Sequence, residues 1–368
     1  MDIPFLKKIM PPSLSLGLFS GKPKNVVGVD IGTYSTKVVQ LRYESERAIL
    51  ETYGELLTEG YLKNATGGGG GFLRFLDNDI ATLLKDVFRE SNITARDAIL
   101  SIPTTAGFTI TIHFPKLDYK EIEGAVPLEA RKYVPIPLNE VILDWTILEQ
   151  GEERDTVEVL LIAVPKEVVE KFKRVAQLTG IRTRALEIET FSVVRSLIGR
   201  NPTPTAIINM GHRSTALSIA DHGSLRISHN FNRGSFELTR ALERGLSISH
   251  ERAETVKRET GLSDKLEERE ITSIISPLLE TLFAEIGHTM QMYNRTAARK
   301  IQKVELTGGG SQLKGIIDLA ASRFGIEVAR ANPFGRVVSP AFIQPMLQEI
   351  SPLFSVAVGL ALHQITSH

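Results

Sequence analysis

The sequence predicts an α/β fold in two lobes, and three observations carry that expectation. At 368 residues the chain is longer than one ordinary core fills. A strand, glycine turn, strand, turn, strand pattern opens at Val26 and recurs after Pro204, so the lobes read as copies of one unit. Between the copies, residues 107–183 read as a separate α+β insert.

The elements follow in order. A leader over residues 1–25 contains Pro4, Pro11 and Pro12, which break any helix, and it reads as flexible. A weak membrane or partner contact through Phe5, Leu6, Ile9 and Met10 is the other reading of that leader. "VVGVDIG", "TKVVQLR" and "AILETYGEL" are three strands. The pentaglycine run Gly67–Gly71 lacks a following Lys-Ser/Thr, so it reads as a connector rather than a phosphate loop. "FLDNDIATLLKDVFRES" places Ile80, Leu83, Leu84 and Val87 on one helix face, and "DAILSIP" is a strand. The insert reads strand, helix, strand, strand, helix, with Pro135 and Pro137 ending its first helix and Gly180 its second. "LEIETFSVVRSLIGR" reads as a helix returning to the first lobe, and "NPTP" as a boundary. The second copy is "TAIINMGHRSTALSIADHGSLRISHNF". Helices dominate from Ser235 to Arg299, then come a strand, the triple glycine Gly308–Gly310, a helix, and the apolar "SPLFSVAVGLALHQ".

Composition narrows the function. Lys plus Arg and Asp plus Glu both total 43, so no basic footprint points to nucleic acid. There is no cysteine, which removes disulfides, thiolate metal sites and cysteine nucleophiles. The 8 histidines include no His-x-x-x-His pair, so a structural zinc site is not expected. No run of about 18 apolar residues offers a transmembrane helix.

Four elements can be arranged around a triphosphate. The first is the stretch Asp30–Lys37. A glycine at Gly32 lets backbone N–H groups approach phosphate oxygens, Thr33 and Ser35 add hydroxyls, Lys37 adds a compact positive charge, and Asp30 can hold Mg²⁺ through its waters. The second is "NMGHRST", with Asn209, Gly211 and Thr215. The third is Gly308, Gly309 and Gly310, a backbone platform for adenosine and the α-phosphate. In the fourth, Glu254 and Lys257 share one helix face and can grip a ribose and a base edge. Each stretch also has a plain reading: a hairpin, a turn, a solvated helical ion pair.

The order of these motifs resembles the actin-like ATPase superfamily, which also holds heat-shock chaperones and sugar kinases. Within it the chain is most similar to the type IV pilus assembly PilM family, on "LEARKYVPIPLNEVILDWTIL", "SHERAETVKRETG" and "VELTGGGSQLKGI". The resemblance implies a two-lobed actin-like ATPase of duplicated ribonuclease-H-like domains, with an FtsA-type 1C insert. Subdomain 1A would be residues 26–106, 184–200 and 345–368, subdomain 1C residues 107–183, subdomain 2A residues 201–240 and 300–344, and subdomain 2B residues 241–299. It implies ATP and Mg²⁺ as cofactors, bound between the lobes. Glu189 falls at the position that orients water in relatives, while its plain reading is an acid stabilised by a helix N-terminus. The implied role is a cytoplasmic scaffold of an inner-membrane platform, peripheral to the membrane through its partners. It would dock the cytoplasmic tail of a PilN-like bitopic membrane protein, with other platform or motor proteins and self-association as further partners.

Two departures bear on chemistry. Asn209 stands where the pattern has Asp, and Arg233 stands where it has Gly, so nucleotide binding with slow or absent hydrolysis is expected. Two other functions compete: a small-molecule kinase of the same superfamily, for which no acceptor-side carboxylate base stands out, and an FtsA-like division filament, which usually ends in an amphipathic membrane helix.

Overall fold

The computed structural model describes residues 24–45, 47–58, 60–62, 75–148, 156–263 and 265–363. The expected leader, up to residue 23, and the pentaglycine run lie outside the described residues. The chain divides into two compact units: residues 1–196, 334–344 and 356–368, and residues 197–333 and 345–355.

The first unit begins with three antiparallel strands, β1 (Asn25–Ile31), β2 (Ser35–Glu44) and β3 (Arg47–Leu57). Val26, Val27, Val29 and Ile31 are all buried, because β1 lies inside a sheet covered on both faces. Helix α1 (Asp77–Glu90) buries the predicted face of Ile80, Leu83, Leu84 and Val87, and β4 (Asp97–Ile102) pairs parallel to β1.

The insert supplies β5 (Phe108–Pro115), α2 (Tyr119–Ala130), β6 (Val141–Ile147), β7 (Thr156–Pro165) and α3 (Lys166–Thr179). Its own sheet runs β5-β7-β6, and with α2 it closes a separate core around Ile112, Phe114, Ile122, Val126 and Val159. Helix α3 packs instead against α1, where Lys171 Nζ reaches Asp77 at 2.8 Å, so the insert's own core is shorter than the span 107–183. The first insert helix stops at Ala130, earlier than the prolines at 135 and 137 suggest, and it contains Pro127. Tyr133 and Val134 donate back to the Ala130 carbonyl, so a turn intervenes before the prolines.

Strand β8 (Arg182–Ile188) pairs parallel to β4 and completes the sheet order β3-β2-β1-β4-β8. The expected helix over 186–200 is therefore strand as far as Ile188, and α4 covers only Glu189–Leu197. Pairing of Leu186–Ile188 with Leu100–Ile102 overrides the local helical pattern.

The second unit repeats the plan. Its elements are β9 (Thr205–Met210), β10 (Thr215–Asp221), β11 (Ser224–Phe231), α5 (Ser235–Leu246), α6 (His250–Thr260), α7 (Arg269–Thr296), β12 (Lys303–Thr307), α8 (Ile316–Phe324), β13 (Glu327–Arg330) and α9 (Gln344–Ile350). The sheet order β11-β10-β9-β12-β13 has the same three antiparallel and two parallel strands as the first. Its core gathers Ile208, Leu217, Leu242, Ile275, Phe283, Ile286 and Val304.

Two C-terminal segments are assigned opposite to the sequence expectation. Residues 334–344 belong with the first unit, where Leu50 N–H donates to the Val338 carbonyl at 2.9 Å. Residues 345–355 belong with the second, where the Thr307 hydroxyl donates to the Pro352 carbonyl at 2.8 Å. Helix α10 (Ser355–Ala361) then returns to the first sheet. There a Cβ on Gly28 would lie 2.1 Å from the Ala357 carbonyl oxygen, so only glycine admits the helix on β1.

Candidate functional site

In the first unit the β1–β2 turn is closed by Gly32 N–H donating to the Ser35 carbonyl at 3.2 Å. A Cβ on Gly32 would sit 2.6 Å from that oxygen, which explains the glycine. Thr33 at the tip is exposed, and neither its N–H nor its hydroxyl has a partner among the described residues. These are free donors of the kind a phosphate oxygen takes.

The strand register sets Asp30 opposite Lys37, and Lys37 opposite Glu55. Lys37 Nζ donates to the Ser35 hydroxyl at 2.6 Å and pairs with Glu55 at 3.3 Å, while Ser35 Oγ donates to Glu55 at 2.5 Å. Ser35 and Lys37 are thus present but engaged with an acid that the motif reading missed. Its signal was the hairpin register, since Glu55 faces Lys37 across β2 and β3.

Asp30 is 8% exposed and accepts a 3.0 Å hydrogen bond from Ser101. Burial raises its pKa, against the lowering effects of Lys37 and the Ser101 hydrogen bond. Glu189 is the first residue of α4, with Thr104 Oγ1 at 3.5 Å from its carboxylate. Burial first, then the charge of Asp30, pushes Glu189 up to about 8. A helix N-terminus acting alone would lower it, so the dipole does not dominate here. Among the described residues no three acids or histidines converge into a metal-binding group.

The second unit reproduces the turn. Gly211 N–H donates to the Ser214 carbonyl at 2.9 Å, and a Cβ on Gly211 would lie 2.8 Å from that oxygen. Asn209 faces Ala216 where the first unit sets Asp30 against Lys37. Both charges of that cross-strand pair are gone. Thr215 is fully buried and its hydroxyl donates to the Arg233 carbonyl at 2.8 Å, which withdraws it from the turn surface. Gly234 lets the start of α5 meet the turn: a Cβ there would be 2.4 Å from the His212 carbonyl oxygen. Ser235 and Phe236 N–H groups then donate to the Gly211 and His212 carbonyls.

The three glycines after β12 have different jobs. Gly308 has φ +81°, and a Cβ would come within 2.5 Å of Asn209 Oδ1 and the Met210 carbonyl. A Cβ on Gly310 would be 2.8 Å from Met210 Cβ. Gly309 faces open space, with only Leu353 Cδ2 at 3.9 Å. A short 3-10 turn over Gly309–Gln312 follows, so α8 begins later than expected, at Ile316.

Glu254 and Lys257 form neither a solvated pair nor a free grip. Lys257 is 5% exposed and donates to Glu254 at 2.6 Å, Thr239 at 2.9 Å and the Ser235 carbonyl at 3.4 Å, which uses its three protons. Burial alone would raise Glu254, but hydrogen bonds from Lys257, Thr239 and Arg258 hold it at about 2. The pair fastens α6 to α5.

Comparison with known proteins places this geometry. Residues 28–365 match the family described as type IV pilus assembly protein PilM. A solved PilM-PilN type IV pilus biogenesis complex is similar at TM-score 0.79 and 24% identity, over 94% of this chain and 99% of that one. The ethanolamine utilization protein EutJ from Carboxydothermus hydrogenoformans follows at TM-score 0.53 and 16% identity, covering 93% and 91% of the two chains. MreB 5 of Spiroplasma citri bound to AMPPNP is similar at TM-score 0.52 and 12% identity, covering 92% and 95%. Cell division protein FtsA of Streptococcus pneumoniae serotype 2 is 22% identical over 90% of this chain and 82% of that protein. FtsA of Enterococcus hirae is 23% identical over 54% of this chain, which spans about half of that relative, 52%. The fold is thus the actin-like ATPase α/β fold, and by the match over residues 28–365 the chain belongs to the type IV pilus assembly protein PilM family.

Proposed function

We propose that the chain is an ATP-binding scaffold of the type IV pilus inner-membrane platform. Asp30, Gly32, Thr33, Ser35 and Lys37 of the first unit hold phosphates and the waters of a magnesium ion. Asn209, Gly211 and the Gly308–Gly310 backbone serve the nucleotide in the second. The observation that carries this reading is the turn at Gly32, with free Thr33 donors at its tip and Lys37 on the strand that follows, repeated as a turn at Gly211. ATP supplies the phosphates and acts as a ligand that shifts conformational populations. Hydrolysis is slow, because Glu189 at about 8 is mostly protonated at neutral pH and so is a poor base toward water.

We also propose that the insert docks the cytoplasmic tail of a PilN-like membrane protein, which brings the chain to the membrane. The similarity to a PilM-PilN complex supports this, as do the exposed Tyr119, Leu128 and Tyr133 on and after α2, at 63%, 64% and 45%. Among the described residues no helix is long and apolar enough to cross a membrane. Titration with ATP tests the first proposal: binding that Lys37→Ala weakens supports it, and no binding by the wild type rejects it. For the second, a labelled tail peptide should bind the wild type and lose affinity to Leu128→Asp. Unchanged affinity in that variant rejects the docking face.

A further inference from the structure

We propose that Arg213 and Arg240 form a phosphate grip on the second unit, taking over the neutralising role that Lys37 has on the first. This rests on the ATP-binding reading above.

Three observations support it. First, the cross-strand pair Asp30–Lys37 has become Asn209–Ala216, so the duplicated turn has lost its strand cation. Second, a cation stands on the turn itself. Arg213 is exposed beside Gly211, where the first unit has Tyr34. Its guanidinium lies 3.8 Å from the centroid of the Phe236 ring, and that of Arg240 lies 5.8 Å from the same centroid. His212 and His250 border that ring as well, at 5.1 Å and 5.5 Å. Third, neither arginine has an acidic partner among the described residues, whereas nearby Arg233 pairs with Glu285 at 3.1 Å and Arg258 with Glu254 at 2.8 Å. Burial first, then the charge of Arg240, lowers the pKa of Arg213.

Two exposed like charges on one ring repel only weakly in water, and together they attract an anion. The planar fork of a guanidinium suits a phosphate, and the ring fixes its plane. Asn209 adds an amide with no hydrogen-bond partner among the described residues on the same turn. The ligand chemistry is a phosphate group, and its place on the duplicated glycine turn assigns it to a nucleotide.

The test is calorimetric titration of the full chain with ATP, tripolyphosphate and adenosine, with magnesium and with a chelator. Loss of a charge-assisted contact predicts that Arg213→Gln with Arg240→Gln weakens ATP and tripolyphosphate by about tenfold or more. Adenosine affinity should not change, and the loss should persist in the chelator because the contact needs no metal. Arg213→Lys should fall between, since it keeps charge without the fork. Both arginines are exposed, so the variants should melt with the wild type. If the double variant binds ATP within twofold of wild type while Lys37→Ala does not, the grip is overturned and the ATP reading stands. If the wild type binds no ATP, both fall. If the arginines instead govern only cosedimentation with phosphatidylglycerol vesicles, a lipid phosphate is the ligand and the nucleotide grip is overturned.

Discussion

Glu55 neutralises Lys37 from the adjoining strand, at 3.3 Å, and the Ser35 hydroxyl lies hydrogen-bonded to both. The acid thereby competes with any phosphate for the lysine, and its own charge repels one. Glu55→Gln should tighten ATP binding several-fold, and Lys37→Ala should weaken it about tenfold, both measured by titration calorimetry. The fold should tolerate Glu55→Gln within about 1 kcal/mol, because Glu55 is about a third exposed. Weaker ATP binding by Glu55→Gln would mean that the acid helps rather than competes.

The glycine triplet gives a second contrast. Gly308→Ala puts a side chain at φ +81° against Asn209 and Met210, and should cost about 2 kcal/mol or more by urea denaturation. Gly309→Ala meets open space and should leave the denaturation midpoint unchanged. The fold thus has no need of glycine at 309, whereas the proposed nucleotide site would use a bare backbone there. Gly309→Ala should therefore weaken ATP binding without weakening the protein, and unaltered affinity would remove 309 from the site.

Much of this was legible in the sequence, for identifiable reasons. Gly32 and Gly211 lie at matching places in two strand–turn–strand patterns, and both close the same hydrogen bond. Residues near the turn thus declared themselves through local rules of chain geometry. What stayed hidden depends on contacts distant in sequence. Glu55 meets Lys37 only through the β2–β3 register. Ser101 reaches Asp30 only because β4 lies beside β1. The burial of Lys257 follows from α5 packing on α6, which turns an ordinary Glu-x-x-Lys spacing into a closed network. β13 also escaped, being 4 residues long and recognisable only once it pairs with β12.

That network sets an acid limit on stability. Glu254 ionises at about 2 in the folded chain against an ordinary glutamate value of 4.5. Its contribution is therefore complete above about pH 4.5 and is lost as pH falls toward 2. Removing one partner leaves the other charge buried and unpaired, so Lys257→Met should cost on the order of 3 kcal/mol at neutral pH. Thermal melts should show that loss shrinking as the pH drops below 4.5. A Lys257→Met penalty that does not vary with pH would separate it from the Glu254 ion pair.

Helix α10 crosses α4 at Gly359, where a Cβ would lie 1.9 Å from the Ser192 carbonyl oxygen. Arg195 of α4 fixes the crossing by donating to the Gly359 carbonyl at 2.9 Å and to both Glu187 oxygens at 2.8 and 2.9 Å. Backbone blocks the added methyl, so relief requires the helices to separate. Gly359→Ala should destabilise by about 2–3 kcal/mol. A midpoint shift well below that in chemical denaturation would show that the crossing yields easily.

Glu189 and Asp30 make stability and chemistry depend on pH in opposite ways. In the unfolded chain Glu189 ionises near 4.5, and in the folded chain at about 8, first through burial and then through the charge of Asp30. The folded state therefore holds the extra proton between those values. Its stability is undiminished below pH 4.5, falls as pH rises through the window, and levels off above 8. Glu189→Gln removes the charge but keeps the shape, so it should melt like wild type at pH 4.5. It should be more stable by roughly 5 kcal/mol at pH 9. Chemistry runs the other way. A carboxylate that orients or deprotonates water must be ionised, so any release of phosphate from ATP should be slow at pH 7 and rise toward pH 9. In Glu189→Gln that rise should vanish while ATP affinity is kept. A stabilised variant whose phosphate release still rises with pH would leave Glu189 a buried structural acid and move the water-orienting role elsewhere.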